Sequence, residues 1–312
     1  MHLHIISSIN SDKFIKSNIA SYRLRLSYLY NAAKELGYKV TSGLKKESNA
    51  DIYYIGKVTT GMTNKVLEII PDLKRKNLRV LVDYTDDLLV SIKDKKRKFI
   101  YEELIKTDPY ITVPIDGLGK KFEKIGKKVF VIPDGIDAIS NIKPFYKNNN
   151  KKNVLWHGHN TNINSLIRII STELVEYNFN LHVVSNPLSF DILKKTKFNN
   201  IPNCKPIAHL WSIEKLVSLS KICDFAILPT DKQWASANRL ITNFRLGLPV
   251  IAETINSYSD FSDYYCEFKK KQIIKMYNFP QKWHESVRLA QIKIDKDFNM
   301  PSLINLWKKV LV

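Results

Sequence analysis

Asp224-Phe225-Ala226-Ile227-Leu228-Pro229, then Asn238-Arg239-Leu240, then Gly247-Leu248-Pro249-Val250-Ile251-Ala252 read as a strand, a polar loop opening a helix, and a second strand. Phe225 to Leu228 and Pro249 to Ala252 are short apolar runs bounded by turn residues, which is the signature of strands buried on both faces. The span 238–246 between them reads as a helix. Strand, helix, strand in this order argues for a parallel, doubly wound α/β sheet.

The same alternation extends in both directions. Upstream, strands are predicted at 153–157 and 180–184, with helices at 163–177, 189–195 and 212–220. The stretch 144–152, with Asn148-Asn149-Asn150 and several lysines, has neither periodicity nor apolar content and reads as a linker. Before it the pattern runs again. Strands are predicted at 3–7, 38–41, 50–55, 79–83, 111–113 and 129–132, and helices at 19–36, 63–76, 95–106 and 118–125. A chain of 312 residues exceeds one ordinary hydrophobic core. Two domains, 1–145 and 146–312, are therefore expected. The last predicted helix carries Leu303, Ile304, Trp307, Val310 and Leu311 and is free to pack back on the first domain.

Composition narrows the function classes. Hydrophobic residues make up 44% of the chain, with 10 Gly and 12 Pro, which excludes a disordered or collagen-like chain. Cys204, Cys223 and Cys266 are too few and too scattered for a disulfide framework or a cysteine-rich zinc site. No apolar run reaches the ~20 residues that cross a bilayer. A cytoplasmic or membrane-peripheral protein is the expectation. The 49 Lys+Arg against 30 Asp+Glu give a formal charge of +19, which attracts anions: phosphorylated small molecules, acidic lipid head groups or nucleic acid. No zinc-finger spacing, helix-turn-helix cue or aromatic RNA-binding motif accompanies it, so no specific nucleic-acid partner is expected.

In open α/β sheets ligands bind where strands end and helices begin, because helix N-termini offer unpaired N–H groups to anions. Four such places stand out. Trp156-His157-Gly158-His159-Asn160 follows a strand, and Gly158 lets the backbone approach a ligand; a strand-end turn capped by asparagine is the plain alternative. Two histidines two residues apart, without a third ligand, do not make a metal site. Ser236 to Arg239 opens a helix that Ser236 or Asn238 can cap, and Arg239 in its first turn is unfavourable unless an anion sits nearby. Val82-Asp83-Tyr84-Thr85-Asp86-Asp87 ends a strand with carboxylates suited to orienting an acceptor hydroxyl, acting as base, or capping a helix. Arg23 and Arg25 point about 200° apart on a helix, so only one, taken as Arg23, is expected to face a ligand.

Taken together, four phrases resemble retaining glycosyltransferases of the GT-B type. Asn238-Arg239-Leu240 with Gly247-Leu248-Pro249-Val250-Ile251-Ala252 is similar to their C-terminal "N-K/R-L … G-L-P-V-I-A" signature. Val129-Phe130-Val131-Ile132-Pro133-Asp134-Gly135-Ile136-Asp137 resembles the "V-x-V-I-P-N-G-V-D" phrase that ends their first domain. Asn153 to Gly158 resembles the strand opening their second domain, and Asp224 to Pro229 their "D-x-x-x-x-P" strand. The resemblance implies two Rossmann-like domains facing a central cleft and transfer of a sugar from a nucleotide-sugar donor. It implies as acceptor a bacterial surface glycan or lipid-linked glycan at an anionic membrane, with no metal or other cofactor.

Carried over residue by residue, the resemblance puts Ser236, Asn238, Arg239 and the Gly158 turn, with His157 and Asn160, at the donor diphosphate. His209 and Trp211 lie near the base, and Asp83, Asp86 and Arg23 near the chemistry. The family's two glutamates, eight positions apart, are Trp234 and Thr242 here, which leaves the ribose contact at Thr242 and the identity of the nucleotide open. A nucleotide-sugar epimerase, a pyruvyltransferase of the same architecture and a non-catalytic binding protein are the alternatives.

Overall fold

The computed structural model describes residues 1–17, 19–45, 47, 49–75, 78–85, 95–137, 139–145, 151–196 and 203–312. The chain divides into two compact units: Met1–Asp137 with Trp234–Ser236 and Phe298–Val312, and Ala138–Gln233 with Ala237–Asp297. The first division thus falls at 137/138, ahead of the boundary read from the sequence.

The first unit holds a six-stranded parallel sheet. Its strands are β1 (His2–Ile6), β2 (Lys39–Gly43), β3 (Ile52–Ile55), β4 (Arg79–Asp83), β5 (Tyr110–Val113) and β6 (Val129–Val131), in the order β2-β1-β3-β4-β5-β6. Its helices are α1 (Ser27–Glu35), entered through a π-helical turn at Tyr22–Leu26, then α2 (Thr63–Arg75), α3 (Lys95–Ile105) and α4 (Asp116–Glu123). The apolar strands are continuous because helices cover both faces of such a sheet. Val66, Ile70, Ile100, Leu104 and Phe122 pack on Tyr53, Val80, Val82 and Ile111.

The second unit repeats the plan with β7 (Lys152–His157), β8 (Phe179–Ser185), β9 (Cys204–Leu210), β10 (Phe225–Leu228), β11 (Val250–Ala252) and β12 (Cys266–Glu267). These are parallel, in the order β12-β11-β10-β7-β8-β9. They are flanked by α5 (Ile163–Ser171), α6 (Pro187–Lys195), α7 (Ile213–Ser220), α8 (Asn238–Arg245), α9 (Lys270–Asn278) and α10 (His284–Asp297). Chain order reverses between β7 and β10, so the carboxyl ends of these two strands flank a topological switch point. Asp224 ties the pair at their other end: its carboxylate accepts from the Asn153 backbone N–H at 2.8 Å. The expected pair of doubly wound parallel sheets is therefore present. Strands β9 and β12 and helix α9 escaped the sequence reading, and α5 ends at Ser171, short of the predicted 177.

The last helix, α11 (Met300–Leu311), belongs to the first unit. Leu303, Ile304, Trp307 and Val310 pack with Leu3, Ile5, Leu29 and Ala32. Arg79 at the start of β4 donates to the carbonyls of Val310 (2.6 Å) and Leu311 (2.9 Å), which meets acceptors that the end of a helix leaves unpaired.

Both arginines of the π-helical turn are buried. Arg25 donates to both Asp83 oxygens at 2.7 and 2.6 Å, to the Ile132 carbonyl at 2.7 Å and to Asp134 at 3.0 Å, while the Thr112 hydroxyl donates to Asp83 at 2.7 Å. Arg23 pairs with Asp137 at 2.6 and 3.2 Å and donates to the Ser17 carbonyl at 2.7 Å. The turn lies against the sheet on one side, and residues 132–137 strap it on the other. Gly135 permits that strap: its N–H donates to Leu24 at 2.7 Å, and any Cβ on it would overlap the Tyr28 ring.

Burial alone would pull the Arg25 pKa down, but Asp83 and Asp134 reverse this and raise it above the ordinary arginine value. Removing one member of such a buried pair strands the other. Asp83→Ala is expected to lower the unfolding free energy by about 3–5 kcal/mol in urea titrations. A loss within about 0.5 kcal/mol, the size of an ordinary surface change, would contradict the pairing.

Candidate functional site

The carboxyl end of β7 and the first turn of α8 in the second unit carry buried polar atoms without partners, among them Trp156 Nε1, His157 Nε2 and Arg239 Nη1. Strand β7 ends in His157, 5% exposed, and the chain turns at Gly158. The Gly158 N–H donates to Val184 at 3.2 Å, and its carbonyl accepts from the Ser185 hydroxyl. A Cβ at Gly158 would stand 2.9 Å from the Trp156 ring and 3.3 Å from Arg239 Nη1, so backbone, indole and guanidinium converge where only glycine fits.

Arg239 stands in the first turn of α8. Its Nη1 is buried without a hydrogen-bond partner. The N-cap position is Ala237, whose own side chain cannot cap the helix. A cation at the positive end of a helix dipole is doubly unfavourable without an anion. The arrangement is suited to phosphate oxygens, which would accept from Arg239 and meet the helix N-terminus at once.

His157 Nε2 is buried without a hydrogen-bond partner. Burial, reinforced by the Arg239 charge, pushes its pKa down to about 3, so the ring is neutral. Tyr258, in the turn after β11, completes the group. It is fully buried with its hydroxyl unmatched; burial raises its pKa and Arg239 lowers it.

Neighbouring contacts hold the loops around this cluster. Asn160 Oδ1 accepts from Asn186 at 3.1 Å, fixing the turn into α5. Glu253, one residue past β11, accepts from the Thr230 backbone and pairs with Arg168, which pins the loop leaving β10.

The structure brings Gly158 and Arg239 together beside His157, with Asn160 in the turn after β7 and Asn238 and Thr242 on the same helix as Arg239. His209 on β9 stacks on His182 with ring centroids 5.3 Å apart and Nε2 3.1 Å from His182 Nδ1. Trp211 follows that strand, its backbone N–H donating to Ser185 at 3.0 Å. Thr242 is buried on α8. Ser236 belongs to the first unit, as does Trp234, which lies against Gly117 of α4 with Lys121 Nζ 4.4 Å above its ring. Arg23 and Asp83 sit in the ion pairs described above, and Asp86 falls outside the described residues. Among the described residues no three His, Cys, Asp or Glu side chains form a cluster able to hold a metal ion, and no helix is long and apolar enough to cross a membrane.

Glu253 and Tyr258 were not anticipated. Glu253 had a usable signal, since it directly follows an apolar strand as His157 does; Tyr258 had none.

An imidazole harder to protonate folded than unfolded makes the folded state bind fewer protons. Stability then falls as pH drops below the free value of about 6.5 and continues to fall towards about 3 for His157. His182, held down to about 4 by burial and by His209, adds in the same direction. Replacing His157 by Gln should flatten the acid side of a stability-versus-pH curve between pH 4 and 6.5. An unchanged slope would mean that the ring is not buried as described.

No family model matches the chain, and no curated protein matches its sequence. Solved structures do match its shape. HepE from Anabaena, in complex with UDP and glucose, superposes with a TM-score of 0.67 at 10% identity, covering 100% of this chain and 99% of that one. A glycosyltransferase from Rickettsia africae gives 0.61 at 12% identity, covering 99% and 98%. TarM gives 0.60 at 15% identity, and there the match covers 92% of this chain but only 58% of TarM. Two Rossmann-like parallel sheets matched over the whole of such chains make this a GT-B fold.

Proposed function

We propose that this chain is a glycosyltransferase that moves a sugar from a nucleotide-sugar donor to a bacterial surface-glycan acceptor. The observation that carries the reading is the unpartnered, buried Nη1 of Arg239 against Gly158, at the switch point of the second sheet. HepE, a structure of the same fold, was solved with UDP and glucose, which favours a uridine nucleotide on the donor.

In this reading the diphosphate lies at the N-terminus of α8 and against the Gly158 turn. As the bond between the anomeric carbon and the phosphate oxygen lengthens, negative charge grows on the leaving diphosphate. Arg239 and the helix N–H groups, already fixed in place, stabilise that charge. Asn238 would stand beside it in the same turn of α8, and Asn160 would hold the opposing turn. Asp83 and Arg23, placed near the chemistry by sequence resemblance, also hold the π-helical turn through their ion pairs. Hexosyl transfer with retention, independence of metal ions and a lipid-linked acceptor are the finer parts of the proposal. The net charge of +19 suits an anionic membrane surface, where each basic residue near the lipid contributes about 1 kcal/mol.

Thermal unfolding in the presence of UDP, GDP, ADP and CMP, with and without EDTA, tests the reading, because a ligand that binds only the folded state raises Tm. UDP is expected to raise it, with or without EDTA, and Arg239→Ala to weaken UDP binding by about 10- to 100-fold, the worth of a hydrogen bond to a charged group. If no nucleotide moves Tm, the donor site is not where Arg239 stands. Conversion of free UDP-sugar without an acceptor would point to an epimerase.

A further inference from the structure

The turn at Gly158 is held from the neighbouring strand. In the second sheet β7 lies between β8 and β10. On the β8 side, Ser185 ends its strand wholly buried, and its hydroxyl donates to the Gly158 carbonyl at 2.5 Å. Leu181 and Val183, on the same face of β8 by the strand's period of two, are apolar members of the core, so Ser185 is where that face turns polar. A carbonyl only accepts, and the single hydrogen of Ser185 is used there. The contact of 2.5 Å between Ser185 Oγ and Ser189 Oγ therefore takes its hydrogen from Ser189, a hydrogen that Ser189 otherwise gives to Asn186 Oδ1 at 3.0 Å. Ser189 is a neighbour of the bond to Gly158 and not its source.

That bond sets the direction of a whole peptide. The peptide after Gly158 is trans, so its carbonyl and its N–H point opposite ways. Ser185 turns the oxygen towards β8 and away from the β10 side. Arg239 stands on that other side, in the helix that follows β10, and its Nη1 is 3.3 Å from where a Cβ on Gly158 would be. Glycine permits rotation about its own bonds more readily than any other residue, so without Ser185 this peptide is free to turn over. Turned over, it presents its oxygen to the β10 side, where a buried guanidinium nitrogen has no partner. The oxygen then meets the need that a phosphate meets in the donor-site reading, and its partial negative charge opposes an arriving anion.

We infer that Ser185 is a positioning residue of the donor site: its hydroxyl holds the Gly158 carbonyl away from Arg239 and so keeps that guanidinium open to phosphate. The inference rests on the donor-site reading above. It adds a closed state in which the chain's own backbone occupies Arg239, and the share of molecules in that state lowers the apparent donor affinity in proportion. Ser185 touches neither donor nor acceptor; it acts through the peptide that it holds.

Calorimetric titration of the full chain with UDP tests this. The proteins to compare are the unaltered chain, Ser185→Ala, Ser185→Thr, Ser189→Ala, Arg239→Ala and the pair Ser185→Ala with Arg239→Ala, each checked for folding by circular dichroism. Ser185→Ala is expected to weaken UDP binding by about three- to tenfold, the worth of one hydrogen bond. Ser185→Thr, which keeps the hydroxyl, restores most of the affinity, and Ser189→Ala leaves it unchanged. The loss depends on the guanidinium. Once Arg239 is alanine, Ser185→Ala has no further effect, because no cation is left for the carbonyl to occupy. A serine that merely supported the fold would weaken binding equally in both backgrounds, since independent effects add.

The inference is overturned if Ser185→Ala leaves the UDP affinity unchanged, or if its loss is the same with and without Arg239. Should Ser185→Ala not fold, Ser185→Cys, whose thiol is only a weak donor, takes its place in the same two comparisons. If the unaltered chain does not bind UDP, the donor-site reading fails and the inference falls with it.

Discussion

A guanidinium taken out of water must have its donors matched, since an unpaired charge inside a protein costs several kcal/mol. Arg25 imposes that requirement on the first unit. It explains why β4 ends in Asp83, why β5 carries Thr112 beside it, and why the chain leaving β6 crosses back over the π-helical turn with Asp134 in reach. Trp307 of α11 lies over the same guanidinium at 5.3 Å, so the ion pair also anchors the last helix. A run of residues that resembles a family phrase, Ile132 to Asp137, thus has a local physical meaning. Asp134 and Asp137 neutralise the two buried arginines, and Gly135 is where a side chain would collide with Tyr28.

The second unit treats its charge in the opposite way. Arg239 faces a neutral histidine, a neutral tyrosine and a helix N-terminus, none of which offsets its charge, and its Nη1 is left unmatched. The contrast between Arg25 and Arg239 separates a side chain that holds the fold from one held ready for something else. Unmet polar groups in a buried place are destabilising in themselves, and they persist where a ligand completes them.

Much of this was legible in the residues. Apolar runs such as Phe225 to Leu228 and Ile52 to Ile55 announced central strands, because both faces of a parallel sheet are covered. Strand β9 was not legible: Lys205, Pro206 and His209 break the apolar run, which the edge of a sheet tolerates and its centre does not. Gly158 and Arg239 were visible because a glycine after a strand and a cation in a first helical turn are each odd without a ligand. The ion pairs of Arg23 and Asp83 were not legible, because helical periodicity shows which way a residue points but not what covers it. The strap over the turn comes from more than a hundred residues further along the chain, and no local pattern encodes such a contact.

Helix α11 carries a consequence for the order in which the chain is made. Leu3, Ile5, Leu29 and Ala32 leave the ribosome well over two hundred residues ahead of Trp307 and Val310, which pack on them. At ordinary rates of synthesis the intervening chain takes on the order of half a minute to appear. For that interval one apolar face of the first sheet lacks the part of its cover that α11 supplies, while the second unit is translated. The first unit therefore finishes folding only after the second has been made, and during that wait it has the greater need of protection from aggregation.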